Sequence, residues 1–487
     1  MKKLLLYAVL ALLPFLTSAQ SEPPVNKDFA DDTKGIADSF SWDDHISVMQ
    51  INLNNEKFDL VAIDDKMNIL WKTTLNGYAI SCGKFKGKIL AIAAEKHGEI
   101  RGFNGVYKGF LIDPKTGKSE IEKTIYEGKG EYYETIANYY TGDGTYFRMV
   151  IRQSNMKRAM FSFSRTKTNY DKTTDLTVFE LNERLDIAST FKPVIGDGTI
   201  IETAGNYDAD LFVSVFKGDN TIEVTRYNAG AKVPSGVLSQ DIDLPSNADK
   251  SMPGRYIKTI ASEADRNVVY FSIMHKNYEK DIQLAVAKLD FAKKTKQIIS
   301  EVFDRNHIKE IKKAFVKPNK DVDKPEFGSF NNVEVRYIRE LNNTLLVAVS
   351  NKHFEQGQLG AWGVEQSIII NGYDTNLKQK FQQVMPTQCS YTMIVVPTGY
   401  YADKNTLHVI ANDKDGMTSI RAIHGTLDMQ TGEWKSMEIL SKKNLRSSSF
   451  SDGSNALWYK NGFILPYVAM GGMFSITSDI RLQQNLF

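Results

Sequence analysis

Along most of the chain, short apolar runs alternate with polar turns, and helical spacing of apolar positions is nearly absent. The alternation inside a run is imperfect. Phe58, Leu60 and Ala62 are interleaved with Asp59 and Val61, a pattern expected of strands covered on both faces. One larger motif recurs, a β run ending in an Asp or Asn turn followed by a second β run. It reads VAIDDKMNILWKTTL around Asp64 and GFLIDPKTGKSEIEKTI around Asp113, and returns around Asn182, Asn228, Asp290, Asp374, Asp428 and Asp479, at intervals of 46 to 84 residues. Two further β-type stretches lie between successive motifs, as in AISCGKF then KILAIAAEK, and TIIETAGN then DLFVSVFKG. Each unit therefore has four strands, a to d, with the recurring motif as the c–d hairpin. Asp143-Gly144 and Asp415-Gly416 supply turn chemistry where a–b and b–c connections fall.

Repeated four-stranded antiparallel units bury their sheet edges best by closing into a ring. The sequence thus predicts an all-β β-propeller of eight blades as a single domain over 40–487, with SWDDHISVMQINL giving the inner strands of the first blade. Because that first unit is short, seven blades is the alternative, if Ser41 to Leu75 completes a blade shared with the C-terminus. Residues 20–39, with Glu22-Pro23-Pro24 and scattered charges, read as a linker.

Residues 1–19 read as a cleavable signal peptide. Lys2 and Lys3 precede the apolar stretch Leu4 to Leu16, and Thr17-Ser18-Ala19 offers small residues at the cleavage site. The apolar stretch is too short to span a bilayer, and no later segment is apolar enough to do so. The expected location is periplasmic or extracellular. No cysteine stands at the cleavage point to accept a lipid.

The full chain has 60 basic and 58 acidic side chains, and loss of Lys2 and Lys3 leaves a formally neutral protein. Nucleic-acid binders carry a basic excess to neutralise phosphates, so no nucleic-acid partner is expected. Cys82 and Cys389 are the two cysteines. They read as buried, unpaired thiols in innermost strands of distant repeats. No CxxC, HExxH, GxSxG, Walker or dinucleotide motif occurs, so no metal site and no cofactor is expected. Asp413-x-Asp415-Gly begins like a calcium loop, but Met417 replaces a ligand and no Glu follows at the twelfth position, leaving a hairpin turn.

Asp113-Pro114-Lys115-Thr116-Gly117 and Asp428-Met429-Gln430-Thr431-Gly432, with Trp434 behind the latter and Trp71 behind Asp64, resemble the repeat of pyrroloquinoline-quinone-type propellers. The resemblance implies that the Asp-x-x-Thr-Gly turn joins outer strands and that the following Trp docks between blades. That family includes quinoprotein dehydrogenases and a periplasmic lipoprotein that assists outer-membrane protein assembly. The adjacent cysteines of the former and the lipidated cysteine of the latter are both missing here, so the resemblance extends to fold alone.

In an a–b–c–d meander, b–c and d–a connections emerge on one face and a–b and c–d connections on the other. The long connections 95–109, 154–174 and 351–366 are b–c, while 240–254 and 304–329 are d–a, so all five are expected on one face. Long loops on a rigid scaffold are where binding residues gather. Candidate ligand-binding residues there are Arg101, Arg158, Arg165, His353 and Trp362, because guanidinium groups pair with carboxylates and aromatic faces stack on sugar rings. Residues 351–366 read as a glycine-containing loop able to fold over the central opening. Asp304 to Val316 is the one helical stretch, with Ile308, Ile311 and Phe315 on one side and Lys309, Lys312 and Lys313 available to a partner or membrane surface.

The function read from these features is a non-enzymatic, monomeric binding module for a protein or glycan, acting through the long-loop face. The alternatives are a carbohydrate-active hydrolase or lyase with residues converging on the channel, and a cell-envelope assembly scaffold. No catalytic residue is identifiable from the sequence.

Overall fold

A computed structural model describes residues 23–95, 97–98, 102–103, 105–128, 133–141, 143–154, 173–195, 199–217, 220–242, 257–276, 282–318, 320–328, 333–357, 360–392, 397–415, 419–443, 445–446, 449–470 and 477–487. Seven four-stranded antiparallel sheets follow one another as simple meanders: 35–76, 78–127, 133–191, 199–241, 257–303, 333–392 and 399–440, numbered blades 1 to 7. The eighth draws on both ends of the chain. Phe450–Ser451 and Leu457–Tyr459 share the inner position beside Gly462–Met470, then comes Ser478–Leu486, and the outermost strand is β1, Val25–Thr33. The innermost segments touch their neighbours all the way round, which closes the ring at eight blades.

Two expectations are corrected here. Residues 25–39, read as linker, form β1 and most of the inner strand of blade 1, Gly35–Ser41. β1 pairs antiparallel with the C-terminal strand, Val25 opposite Gln483 and Thr33 opposite Ser478. It buries Phe29 and leaves Asp28, Asp31 and Asp32 exposed, the charged face suited to an edge strand but easily mistaken for a linker. Asp479 is not in a c–d turn. It lies within the third strand of blade 8, whose fourth strand comes from the other end of the chain.

The first seven hairpins were read correctly because their turns are built locally. At Asp64, Asp113, Asn182, Asp290, Asp374 and Asp428, the side-chain oxygen accepts from the backbone N–H two residues on, at 2.8–3.1 Å. This Asx geometry reverses the chain without help from the rest of the fold. Lys435, with the backbone N–H groups of Thr431 and Gln430 behind it, holds the Asp428 carboxyl down at about 2.

The core is a series of apolar layers between blades rather than one centre. The third strand of blade 1 shows why its apolar run is continuous: Phe58, Leu60 and Ala62 face blade 2, while Val61 and Ile63 face blade 8. Trp71, on the outer strand of blade 1, donates its indole N–H to the Pro114 carbonyl of the blade 2 turn at 2.8 Å. Its ring fills the space a Cβ on Gly117 would need, and Gly117 also has φ +69°. The equivalent place against Gly432 is taken by Phe381 of blade 6. Trp434 instead lies over Gly425 of its own blade and packs into the layer between blades 6 and 7. Cys82 and Cys389 are both buried, but only Cys82 is on an innermost strand. Cys389 belongs to the outer strand of blade 6, Gln379–Thr392.

Candidate functional site

Strand directions place the b–c and d–a connections on one face, here the upper face, and all five long connections are of these two kinds. The inner strands run down from that face along the central channel. Four of them, in blades 1, 2, 4 and 6, carry a β-bulge at a comparable height, at Ala37, Ile80, Ile201 and Arg336. A bulge turns the following side chain out of the regular pleat, a device common beside functional sites. The residues so displaced are Asp38, Ser81, Glu202 and Tyr337.

Asp38 accepts from the Cys82 N–H at 2.8 Å and the Ser39 N–H at 2.9 Å, tying blade 1 to blade 2. Burial outweighs those donors and pushes its carboxyl up to about 6. Glu202 is likewise raised by burial, against the pull of Arg152 at 3.8 Å and of Lys258. At the same level of blade 6, Arg336 pairs with Glu334 at 2.8 Å. Tyr337 stacks on Tyr400 of blade 7, ring centroids 4.8 Å apart and nearly parallel. Burial, with the Glu365 carboxylate nearby, lifts the Tyr400 hydroxyl well above its ordinary value. The inner strands therefore gather carboxyls and cations from several blades, an arrangement able to hold a polar ligand or partner segment at the axis, while the Tyr337–Tyr400 pair packs against the layer between blades 6 and 7.

Above this wall stands a feature the sequence suggested as a loop. The second and third strands of blade 6 run on as a hairpin, Thr344–Gly357 and Gly360–Tyr373. Among the described residues the inner strand pairs up to Val333 opposite Asn351, while the outer strand continues up to Thr392 opposite Trp362. The result is a three-stranded arm, projecting by about six residues per strand or about 20 Å. It is a continuation of the blade, not a loop. The base of the arm is fixed by Asn351 donating to Gln366 at 2.6 Å and Thr398 donating to the buried Glu365.

The arm carries two of the five candidate residues, His353 paired with Val364 and Trp362 paired with Glu355, which brings these two positions to diagonal places across the hairpin. Arg101, Arg158 and Arg165 lie outside the described residues. Asp413, read as a turn residue, is engaged by Arg421 at 2.8 Å, and the same guanidinium reaches Asp323 at 2.7 Å. Asp38, Glu202 and Arg336 were missed by sequence reasoning. Their one visible signal was a polar residue within a short apolar inner-strand run, as in TIIETAGN.

The upper face also holds the helix α1 (Arg305–Ala314), capped by Asp304, whose side chain accepts from the His307 N–H at 2.7 Å. Ile308, Ile311 and Phe315 pack into the layer between blades 5 and 6, as their spacing predicted. On the opposite face, the a–b turns of blades 4 and 5 enclose a shallow cleft of about 410 Å³ lined by Tyr207, Asp208, Glu263, Asp265 and Arg266, among others. No group of three or more metal-ligating side chains occurs among the described residues.

No family model and no curated protein matches the sequence. Among solved structures, the chain is similar to BamB from Moraxella catarrhalis, at 8% identity and TM-score 0.44, covering 92% of this chain and 96% of that one. It is similar to the WD40 domain of SCAP from fission yeast at 9% identity and TM-score 0.44, covering 95% and 97%. TolB from Acinetobacter baumannii matches at 12% identity and TM-score 0.27, covering 80% and 77%. The eight-bladed architecture rests on the strand pairing described above rather than on these resemblances.

Proposed function

We propose that this chain is an exported propeller that binds a protein or glycan partner on its upper face. The observation that carries the reading is that the strand ends flanking all five long connections lie on a single face of the ring, where one of the five is built up into the blade 6 arm. Export rests on residues 1–19, and no helix among the described residues is long and apolar enough to cross a membrane. The Trp71–Gly117 contact supports kinship with the pyrroloquinoline-quinone-type repeat without bringing a cofactor with it. A hydrolase would want two carboxyls roughly 5 to 10 Å apart. The raised carboxyls Asp38 and Glu202 come from blades 1 and 4, three places apart on the ring.

The arm is the part to remove. Replacing residues 353–364 by Asn-Gly, so that Lys352 and Glu365 flank a tight turn, should leave the thermal transition within a few degrees of the parent. Immobilised parent and variant are then compared on a glycan array and against fractionated envelope extract. The reading expects specific capture by the parent and its loss in the variant. Identical capture profiles for the two proteins would sink it.

A further inference from the structure

The helix α1 and the residues up to Lys320 are more basic than the rest of a chain that is close to neutral, ahead of the acidic Asp321, Asp323 and Glu326. Between Arg305 and Lys320 stand six basic residues, Arg305, Lys309, Lys312, Lys313, Lys317 and Lys320, and one acidic residue, Glu310. All six are exposed. The apolar side of the helix is fully used, since Ile308, Ile311 and Phe315 hold it to the layer between blades 5 and 6. What faces outward is a cationic ridge on a fixed support. Arg305, Lys309 and Lys313 recur every four residues, a rise of about 6 Å per step along the helix. Lys312 pairs with Glu326 at 3.2 Å, and among the described residues no ion pair is formed by the other five. Like charges held this close raise the local potential and favour an anionic partner.

The surroundings of the ridge select among anionic partners. Glu326 is bonded to the foot of the arm, its N–H to the Ser367 hydroxyl at 2.8 Å and its carbonyl to the Ser367 N–H at 2.9 Å. The ridge thus lies beside a wall rising about 20 Å. A flat bilayer meets the top of that wall before it reaches the lysines. A flexible polymer with regularly spaced carboxylates can lie in the angle between them. We propose that the exposed side of α1 and its continuation to Lys320 is a docking surface for an acidic polysaccharide running along the foot of the arm. The proposal deepens the upper-face reading and rests on it.

The test uses the mature full-length chain with polygalacturonate, alginate and heparin as probes, and vesicles containing 30 mol% phosphatidylglycerol as a fourth. The charge-reversed variant Lys309→Glu/Lys313→Glu/Lys317→Glu is compared with a control of equal charge change on the lower face, Lys66→Glu/Lys115→Glu/Lys232→Glu. The expected result is binding of at least one polysaccharide that weakens steeply with salt, falls tenfold or more in the upper-face variant and stays within twofold in the control. Equal losses in both variants, or no binding of any polysaccharide, would overturn the proposal. Lysine-dependent binding to vesicles alone would assign the ridge to a membrane and overturn it as well. If removal of the arm abolishes partner capture while charge reversal leaves it intact, the polysaccharide proposal fails and the broader reading stands.

Discussion

Asp38 and the pair His408–His424 are ionisable groups that the fold takes out of water without a full counter-charge, and they respond to pH with opposite signs. The Asp38 carboxyl is raised from 3.8 to about 6, so the native state holds its proton over that range while the unfolded chain does not. Its stabilising contribution is complete below pH 3.8 and is lost as pH rises through about 6. Asp38→Asn keeps an oxygen for the Cys82 N–H and removes the buried charge. It should gain about 2–3 kcal/mol at pH 8 and little at pH 4, measured by denaturant unfolding at the two pH values; equal shifts at both would refute the assignment.

His408 and His424 stack with centroids 5.3 Å apart, joined by a ring-nitrogen hydrogen bond of 3.1 Å, within the aromatic layer formed with Trp458 and Phe463. Burial depresses them to about 4 and about 3. The unfolded chain therefore takes up protons first. Stability is fully present above pH 6.5 and lost as pH falls toward 4. His424→Leu should flatten the acid limb of the stability profile between pH 6.5 and 4, even where the absolute stability drops from altered packing. An unchanged slope in that window would show that other groups set the acid limb.

At the scale of elements, what could be read from the sequence was what is built locally. The c–d turns were legible because in six of the first seven one Asp or Asn side chain closes the turn within a few residues. The helix was legible from the spacing of Ile308, Ile311 and Phe315. The inner-strand bulges were not, because an extra residue at Ala37 or Ile201 shows only against the partner strand, which propensity does not supply. The arm was misread because Gly357, Gly360 and Gly363 look like loop composition, whereas the ladder on both sides of 360–373 carries them as strand. Of the candidate region, the face from which the long connections emerge was legible through strand counting, and the wall residues Asp38 and Glu202 were not. Asp38 in particular fell inside the segment read as a linker, although its strand, Gly35–Ser41, pairs with the next strand of its own blade, Asp38 opposite Gln50.

For the molecule as a whole, β1 is the strand with the longest reach, pairing residues about 450 positions apart in sequence. Closing so distant a contact is entropically costly and follows the formation of the other blades in any low-cost order of folding. Once formed, it covers the outward edge of Ser478–Leu486 and itself becomes the charged outer edge of blade 8. Deleting residues 20–33 should leave seven blades intact and free the backbone of Ser478–Leu486 on one side. Hydrogen exchange is expected to accelerate first in that strand, together with a lowered melting temperature and a tendency to self-associate. Uniform exchange across all eight blades would mean the ring unfolds as one unit and the closing strand has no separate role.

The same pairing has a practical corollary for how the protein can be held. Val25 lies opposite Gln483, and the backbone N–H of Gln484 bonds to the Pro24 carbonyl, so the chain enters and leaves blade 8 side by side at the lower rim. Any tether attached at either terminus, whether a purification tag, a fluorescent fusion or a surface linkage, orients the ring with the arm and the cationic ridge directed away from the support. Sensor chips coupled through opposite ends should therefore display the same surface to an analyte.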